Sequence, residues 1–178
     1  MTANILTVLR ILGSLILLFL QPLSPAFYIL YLFAGITDVL DGWIARKTGT
    51  AGELGAKLDS VADLIFYSVM LLKLMPILWV RLPGEIWWVV GAALLVRLCS
   101  YGVAAVKYHR FASLHTYLNK ATGAAVFLIP FFLPFSCGVV FCWIVCAVAF
   151  AASAEELTLH LIHPEYDANV KTILKRKV

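Results

Sequence analysis

Six apolar stretches, near residues 5–20, 26–46, 54–76, 85–108, 117–135 and 138–160, take up most of the chain. A helix of roughly 20 residues crosses a ~30 Å hydrocarbon core. In that medium every backbone N–H and C=O must be paired within the protein, so a chain made of such stretches folds as a bundle of spanning helices. Helices of a soluble bundle would carry a polar stripe, and most of these segments lack one. Only 13% of the 178 residues are charged and 62% are hydrophobic, where a soluble domain has about a quarter charged. The expectation is an all-α integral membrane protein: one six-transmembrane-helix domain over 1–178, ending in a short polar tail at about 161–178.

Lys and Arg set the orientation. With the N-terminus on the cytoplasmic side, eleven of the fourteen fall on or near the inner face, among them Arg10, Arg46, Lys57, Lys107, Arg110, Lys120 and Lys171. Lys73 and Arg81 fall toward the outer face, and Arg97 lies inside the fourth span. This positive-inside bias places both termini and the 46–55 turn in the cytoplasm. It also accounts for the net charge of +4 without a nucleic-acid partner. The first span has neither a basic segment ahead of it nor a small-residue cleavage site, so it reads as a retained helix. The four cysteines lie in or beside apolar spans and form no zinc-like pattern.

Four of the five aspartates fall between Asp38 and Asp63. Asp38 and Asp41 are three apart near the end of the second helix, and Asp59 and Asp63 are four apart near the start of the third. Either spacing puts a pair on one helix face, and the short turn between the helices makes them antiparallel neighbours. Four ionised carboxylates at membrane depth repel one another and are costly unless neutralised. Hard oxygen ligands in this number suit two Mg²⁺ or Mn²⁺ ions, and Ca²⁺ uses the same donors. Gly42, Ala45 and Gly55 lack bulk beside the acids and leave room for a flat ligand. Arg46 adds a planar cation suited to phosphate.

The pattern Asp38-x2-Asp41-Gly42-x2-Ala45-Arg46, eight residues, then Gly55-x3-Asp59-x3-Asp63 resembles the signature of the CDP-alcohol phosphotransferases at every fixed position. The start "NILTVLR", with Asn4, Thr7 and Arg10, is similar to the usual Asn-x2-Thr-x2-Arg opening of that family. The resemblance implies a reaction in which the pyrophosphate of a CDP-linked alcohol is cleaved, CMP leaves and the phosphoryl group passes to an acceptor hydroxyl. It implies that Asp38, Asp41, Asp59 and Asp63 hold two divalent ions and that Asp63 is also the general base. Thr7, Gly42, Ala45, Arg46 and Gly55 would line the nucleotide pocket. It further implies CDP-diacylglycerol as donor, a small polar alcohol as acceptor, a homodimer, and a cell-membrane site facing the cytoplasm.

The acceptor is less legible. Arg97, a charge inside an apolar helix that requires a partner, and Lys120 are the candidate contacts for an acceptor phosphate, which makes glycerol 3-phosphate the first choice. Lys107, His109, Arg110, His115 and Asn119 are further candidates. Leu98 after Arg97 departs from the acidic residue often found there in glycerophosphate-using relatives, and Ser60 after Asp59, in "LDSVAD", resembles branches that use serine or inositol phosphate. A divalent-cation transporter is the alternative of a different class. Its carboxylates would normally sit at the bilayer midplane on broken helices, not at the interface beside an arginine.

Overall fold

The computed structural model describes residues 2–48, 53–109, 114, 116–164, 166, 170 and 172. Within the helices, the side chains of 2–4, 39, 41–46, 48, 53, 54, 56 and 57 lie outside the described set. The described chain is all helical: α1 Thr2–Leu17, α2 Pro25–Thr48, α3 Glu53–Arg81, α4 Gly84–Tyr108, α5 Tyr117–Phe132 and α6 Gly138–Ile162. It forms two compact units, Met1–Val80 and Arg81–Val178.

In the first unit, α2 begins where Ser24 Oγ accepts the Phe27 N–H at 3.2 Å. Pro25 takes the first helical position, where its missing N–H costs nothing. The buried face of α1 carries Thr7, Arg10, Ser14 and Leu17, three or four residues apart as one helix face requires. α1 packs against α2 through Gly13, where an added Cβ would lie 3.6 Å from Leu30 Cδ1. Tyr31 of α2 stacks on Phe27 at 5.8 Å and on Phe66 of α3 at 5.5 Å, tying the two helices together. Lys73 Nζ donates to the Leu18 carbonyl at 2.9 Å, satisfying an acceptor orphaned by the end of α1.

In the second unit, α6 packs against both α4 and α5. His109, with φ 52°, closes α4 in the left-handed region, and Thr116 caps α5 by accepting the Asn119 N–H at 3.2 Å. Cations again meet helix C-termini. Arg81 donates to the Leu133 carbonyl after α5, and Lys107 Nζ donates to the carbonyls of His160 and Leu161 at 2.8 and 3.0 Å. Both arrangements place positive charge at the negative end of a helix. α5 and α6 turn back on each other with Phe132 stacked on Phe141 at 4.1 Å.

That turn needs glycine at 138. A Cβ there would stand 2.5 Å from the Phe132 carbonyl oxygen, a backbone atom that cannot swing aside. Gly138→Ala is expected to destabilise the protein by about 1–3 kcal/mol, read as a lower thermal unfolding midpoint of the detergent-solubilised chain. Gly102→Ala, where nothing lies within 4 Å of the added atom, is the matched control and should leave the midpoint unchanged or raise it.

The expected six stretches all appear as helices, with ends shifted by a few residues. Three helices are long and apolar enough to cross a membrane: Leu58–Arg81 within α3, α4 and α6. α1 and α5 have 16 residues each, about 24 Å at 1.5 Å per residue, short of a straight crossing. α2 has 24 residues, but its second half carries Asp38, Asp41, Arg46 and Lys47. Large apolar side chains such as Leu12, Ile16, Leu64, Leu71, Leu94 and Ile144 are exposed. Exposed apolar surface on this scale belongs to a membrane protein. Helix hydroxyls turn inward on their own backbones, as with Ser14 to Arg10 O and Thr158 to Ala154 O, both at 2.7 Å, which suits a medium offering no other partner.

Candidate active site

Asp38 lies on α2, and Asp59 and Asp63 lie one turn apart on α3. A carboxylate oxygen of each comes within 4.8 Å of the other two. The expected meeting of the two helices is thus present for these three acids. Their side chains are about half exposed, so the cluster is open to incoming groups. Gly55, one turn before Asp59, is partly exposed. Asp41, Gly42, Ala45 and Arg46 lie on α2, but their side chains are outside the described set, as is that of Lys57.

The residue that joins the acids comes from α1. Arg10 is only 1% exposed. Its Nη1 donates to Asp38 Oδ1 and, at 3.1 Å, to Asp63 Oδ1, and its Nη2 donates to Asp59 Oδ1. Thr7 is buried one turn earlier, and Ser14 accommodates its hydroxyl on the Arg10 carbonyl one turn later. The sequence supplied Arg10 as an inner-face charge and as part of the opening pattern, not as a partner of the aspartates. The available signal was that Arg10 is the only charged residue within α1, and a lone charge in an apolar helix demands a counter-charge.

The donor set fits a hard divalent ion. Three convergent carboxylates supply anionic oxygens only, the chemistry that Mg²⁺, Mn²⁺ and Ca²⁺ prefer. The half-open face leaves room for further oxygen ligands from a substrate.

A second polar cluster occupies the Arg81–Val178 unit. Arg97 Nη1 donates to Glu156 Oε2, and Nη2 donates to Asn119 Oδ1 at 2.8 Å. Asn119 Nδ2 donates to the same Glu156 oxygen and, at 2.6 Å, to the Leu114 carbonyl. Glu156 is fully buried, and His160 Nε2 stands 3.8 Å from its other oxygen. The partner that Arg97 required is therefore Glu156, a residue not singled out from sequence because it sits in "SAEELTLH" at the end of the most apolar stretch. Lys120, next to Asn119, is exposed on the first turn of α5, and His109 is exposed after α4. Arg110 and His115 lie outside the described residues. Most of the tail does too, although Thr172 Oγ1 donates to Glu155 Oε1 at 3.0 Å and Tyr166 packs on Tyr108.

Comparison with known proteins accords with this geometry. The chain is 31% identical over 165 residues to a CDP-diacylglycerol–glycerol-3-phosphate 3-phosphatidyltransferase of Pseudomonas fluorescens, covering 88% of this chain and 83% of that one. It is 39% identical over 67 residues to a CDP-diacylglycerol–serine O-phosphatidyltransferase of Methanocaldococcus jannaschii, covering 38% and 31%. It is 38% identical over 51 residues to a CDP-diacylglycerol–inositol 3-phosphatidyltransferase of Arabidopsis thaliana, covering 29% and 22%. No solved structure matches. Residues 1–153, which hold the four clustered aspartates, the α1 arginine, and Arg97 and Asn119 of the second cluster, match the CDP-alcohol phosphatidyltransferases. With the spacing of its acids and this match in agreement, the chain belongs to the CDP-alcohol phosphatidyltransferase family.

Proposed function

We propose that this protein is a six-span enzyme of the cell membrane that transfers the phosphatidyl group of CDP-diacylglycerol to glycerol 3-phosphate, with release of CMP. The observation that carries the proposal is the convergence of Asp38, Asp59 and Asp63 within 4.8 Å in a chain of this family. Asp38, Asp41, Asp59 and Asp63 would hold two Mg²⁺ or Mn²⁺ ions, which when bound neutralise the pyrophosphate and the departing CMP. Asp63 takes the proton of the acceptor hydroxyl as the oxygen attacks phosphorus. Thr7, Gly42, Ala45, Arg46 and Gly55 line the nucleotide pocket, the small residues leaving space and Arg46 meeting phosphate.

Asp63 is assigned the role of base as the last of the four aspartates in the family pattern, and it lies in the carboxylate cluster with Asp38 and Asp59. Arg97 and Lys120 are assigned to the acceptor phosphate. Arg97 has five N–H donors, and Glu156 and Asn119 engage only two of its nitrogens. Cytoplasmic termini, an active site facing the cytoplasm and a homodimer complete the proposal, the orientation being supported by the distribution of Lys and Arg.

Glycerol 3-phosphate is favoured over serine and inositol because the glycerol-3-phosphate relative matches over 165 residues, whereas the other two match over 67 and 51. The test is an acceptor panel. Purified protein with CDP-diacylglycerol and Mg²⁺ is given glycerol 3-phosphate, serine, inositol or inositol phosphate, and CMP and lipid product are both measured. Product with glycerol 3-phosphate well above the others is expected. Turnover with serine or inositol phosphate alone would reassign the acceptor and leave the transfer chemistry standing.

A further inference from the structure

We propose that Arg10 is the cation that holds the aspartate site together without divalent metal, and that metal loading displaces its guanidinium from Asp38, Asp59 and Asp63. This exchange rests on the metal-dependent transfer proposed above.

Arg10 is 1% exposed, so its charge cannot be met by water and must be met by anions. The three carboxylates beside it repel one another unless positive charge lies among them. Each need answers the other: the guanidinium reaches one oxygen of each acid with its two terminal nitrogens. A divalent ion bound by those acids would sit about 2.0–2.1 Å from their oxygens if it is Mg²⁺. A guanidinium donating to the same Oδ1 atoms would then lie within a few ångströms of a doubly charged cation, in partly buried surroundings that screen the repulsion poorly. The two cations therefore compete, and metal affinity is set by how much the site loses when Arg10 lets go.

Competition has a second consequence. Once displaced, a guanidinium that remains buried still needs an anion, and a pyrophosphate offers planar donors a bidentate partner. CDP should therefore tighten metal binding in the wild type, and less so where Arg10 is gone.

The experiment measures Mn²⁺ binding to the full chain in nanodiscs, by electron paramagnetic resonance of free Mn²⁺, for wild type, Arg10→Met and Arg10→Lys. Arg10→Met should bind Mn²⁺ tighter by about 5- to 150-fold, the usual span of a coupling between two ligands. Its melting temperature in EDTA should fall below that of the wild type, and saturating Mn²⁺ should close the gap. Equal or weaker Mn²⁺ binding by Arg10→Met would overturn the exchange and make Arg10 a residue that orients the carboxylates. Should Arg10→Met not fold, the wild type alone decides. The Arg10 Nη resonances of ¹⁵N-arginine-labelled protein, assigned by their loss in Arg10→Lys, should shift when Mg²⁺ is added, and unchanged resonances contradict the exchange. Wild-type protein that binds no Mn²⁺ overturns both the exchange and the proposed function. Wild-type protein that binds Mn²⁺ and releases CMP, with no gain of affinity in Arg10→Met, overturns the exchange alone.

Discussion

Asp63→Asn should lower phosphatidyl transfer by roughly 10²–10⁴-fold, the usual contribution of a positioned general base, while CDP-diacylglycerol still binds. Asparagine keeps the size and one oxygen of the side chain but cannot take a proton at neutral pH. Asp38→Ala and Asp59→Ala should differ in kind: each deletes both oxygens of a carboxylate in the cluster proposed to hold metal, so metal and nucleotide binding should fall along with turnover. Measuring kcat for lipid formation beside equilibrium binding of labelled CDP-diacylglycerol separates the two patterns. If Asp63→Asn turns over at the wild-type rate, the base lies elsewhere.

Glu156→Ala should be the most destabilising single change in the Arg81–Val178 unit. Glu156 is wholly buried and receives donors from both Arg97 and Asn119. Its removal leaves the Arg97 guanidinium without a counter-charge, a loss of about 3–5 kcal/mol. In a chain of this size that is roughly 10 °C in melting temperature. The loss belongs to the orphaned charge, not to the pair as such. The double variant Arg97→Met/Glu156→Leu should therefore recover most of the stability, since an apolar pair of similar volume replaces a buried ion pair at little cost. That variant also separates two roles of Arg97. A stable fold with a raised KM for glycerol 3-phosphate would support the contact with acceptor phosphate. An unchanged KM would leave Arg97 with structural duty alone.

The helices were legible in the sequence because hydrocarbon permits so little else. Runs without a polar stripe have to be helices, and Pro22 with Pro25, Pro83 with Gly84, and Pro134 with Gly138 mark where they stop. The division between the last two spans falls at Leu133–Cys137, where Gly138 lets the chain turn back against Phe132. The approach of Asp38 to Asp59 and Asp63 was legible through helical spacing alone, while the Asp41 side chain lies outside the described residues. Arg10 was not, because spacing along one helix says nothing about which third helix brings a charge to the same point. Glu156 was hidden for the same reason. Arg97 announced that it needed a partner, but its choice of a residue 59 positions away is a property of tertiary packing. In both clusters, a lone arginine in an apolar helix marked a carboxylate that pattern reading had either assigned wholly to metal or passed over.

The most direct measurement is metal-dependent turnover by the purified full chain. CDP-diacylglycerol and glycerol 3-phosphate are supplied in mixed micelles, CMP and lipid product are quantified, and the protein is then stripped with EDTA and titrated with Mg²⁺ or Mn²⁺. Stoichiometric CMP and phosphatidyl product, lost with EDTA and restored by metal, are predicted, with no restoration in Asp59→Ala. Full turnover after EDTA treatment, or in Asp59→Ala, would contradict a metal-dependent aspartate site.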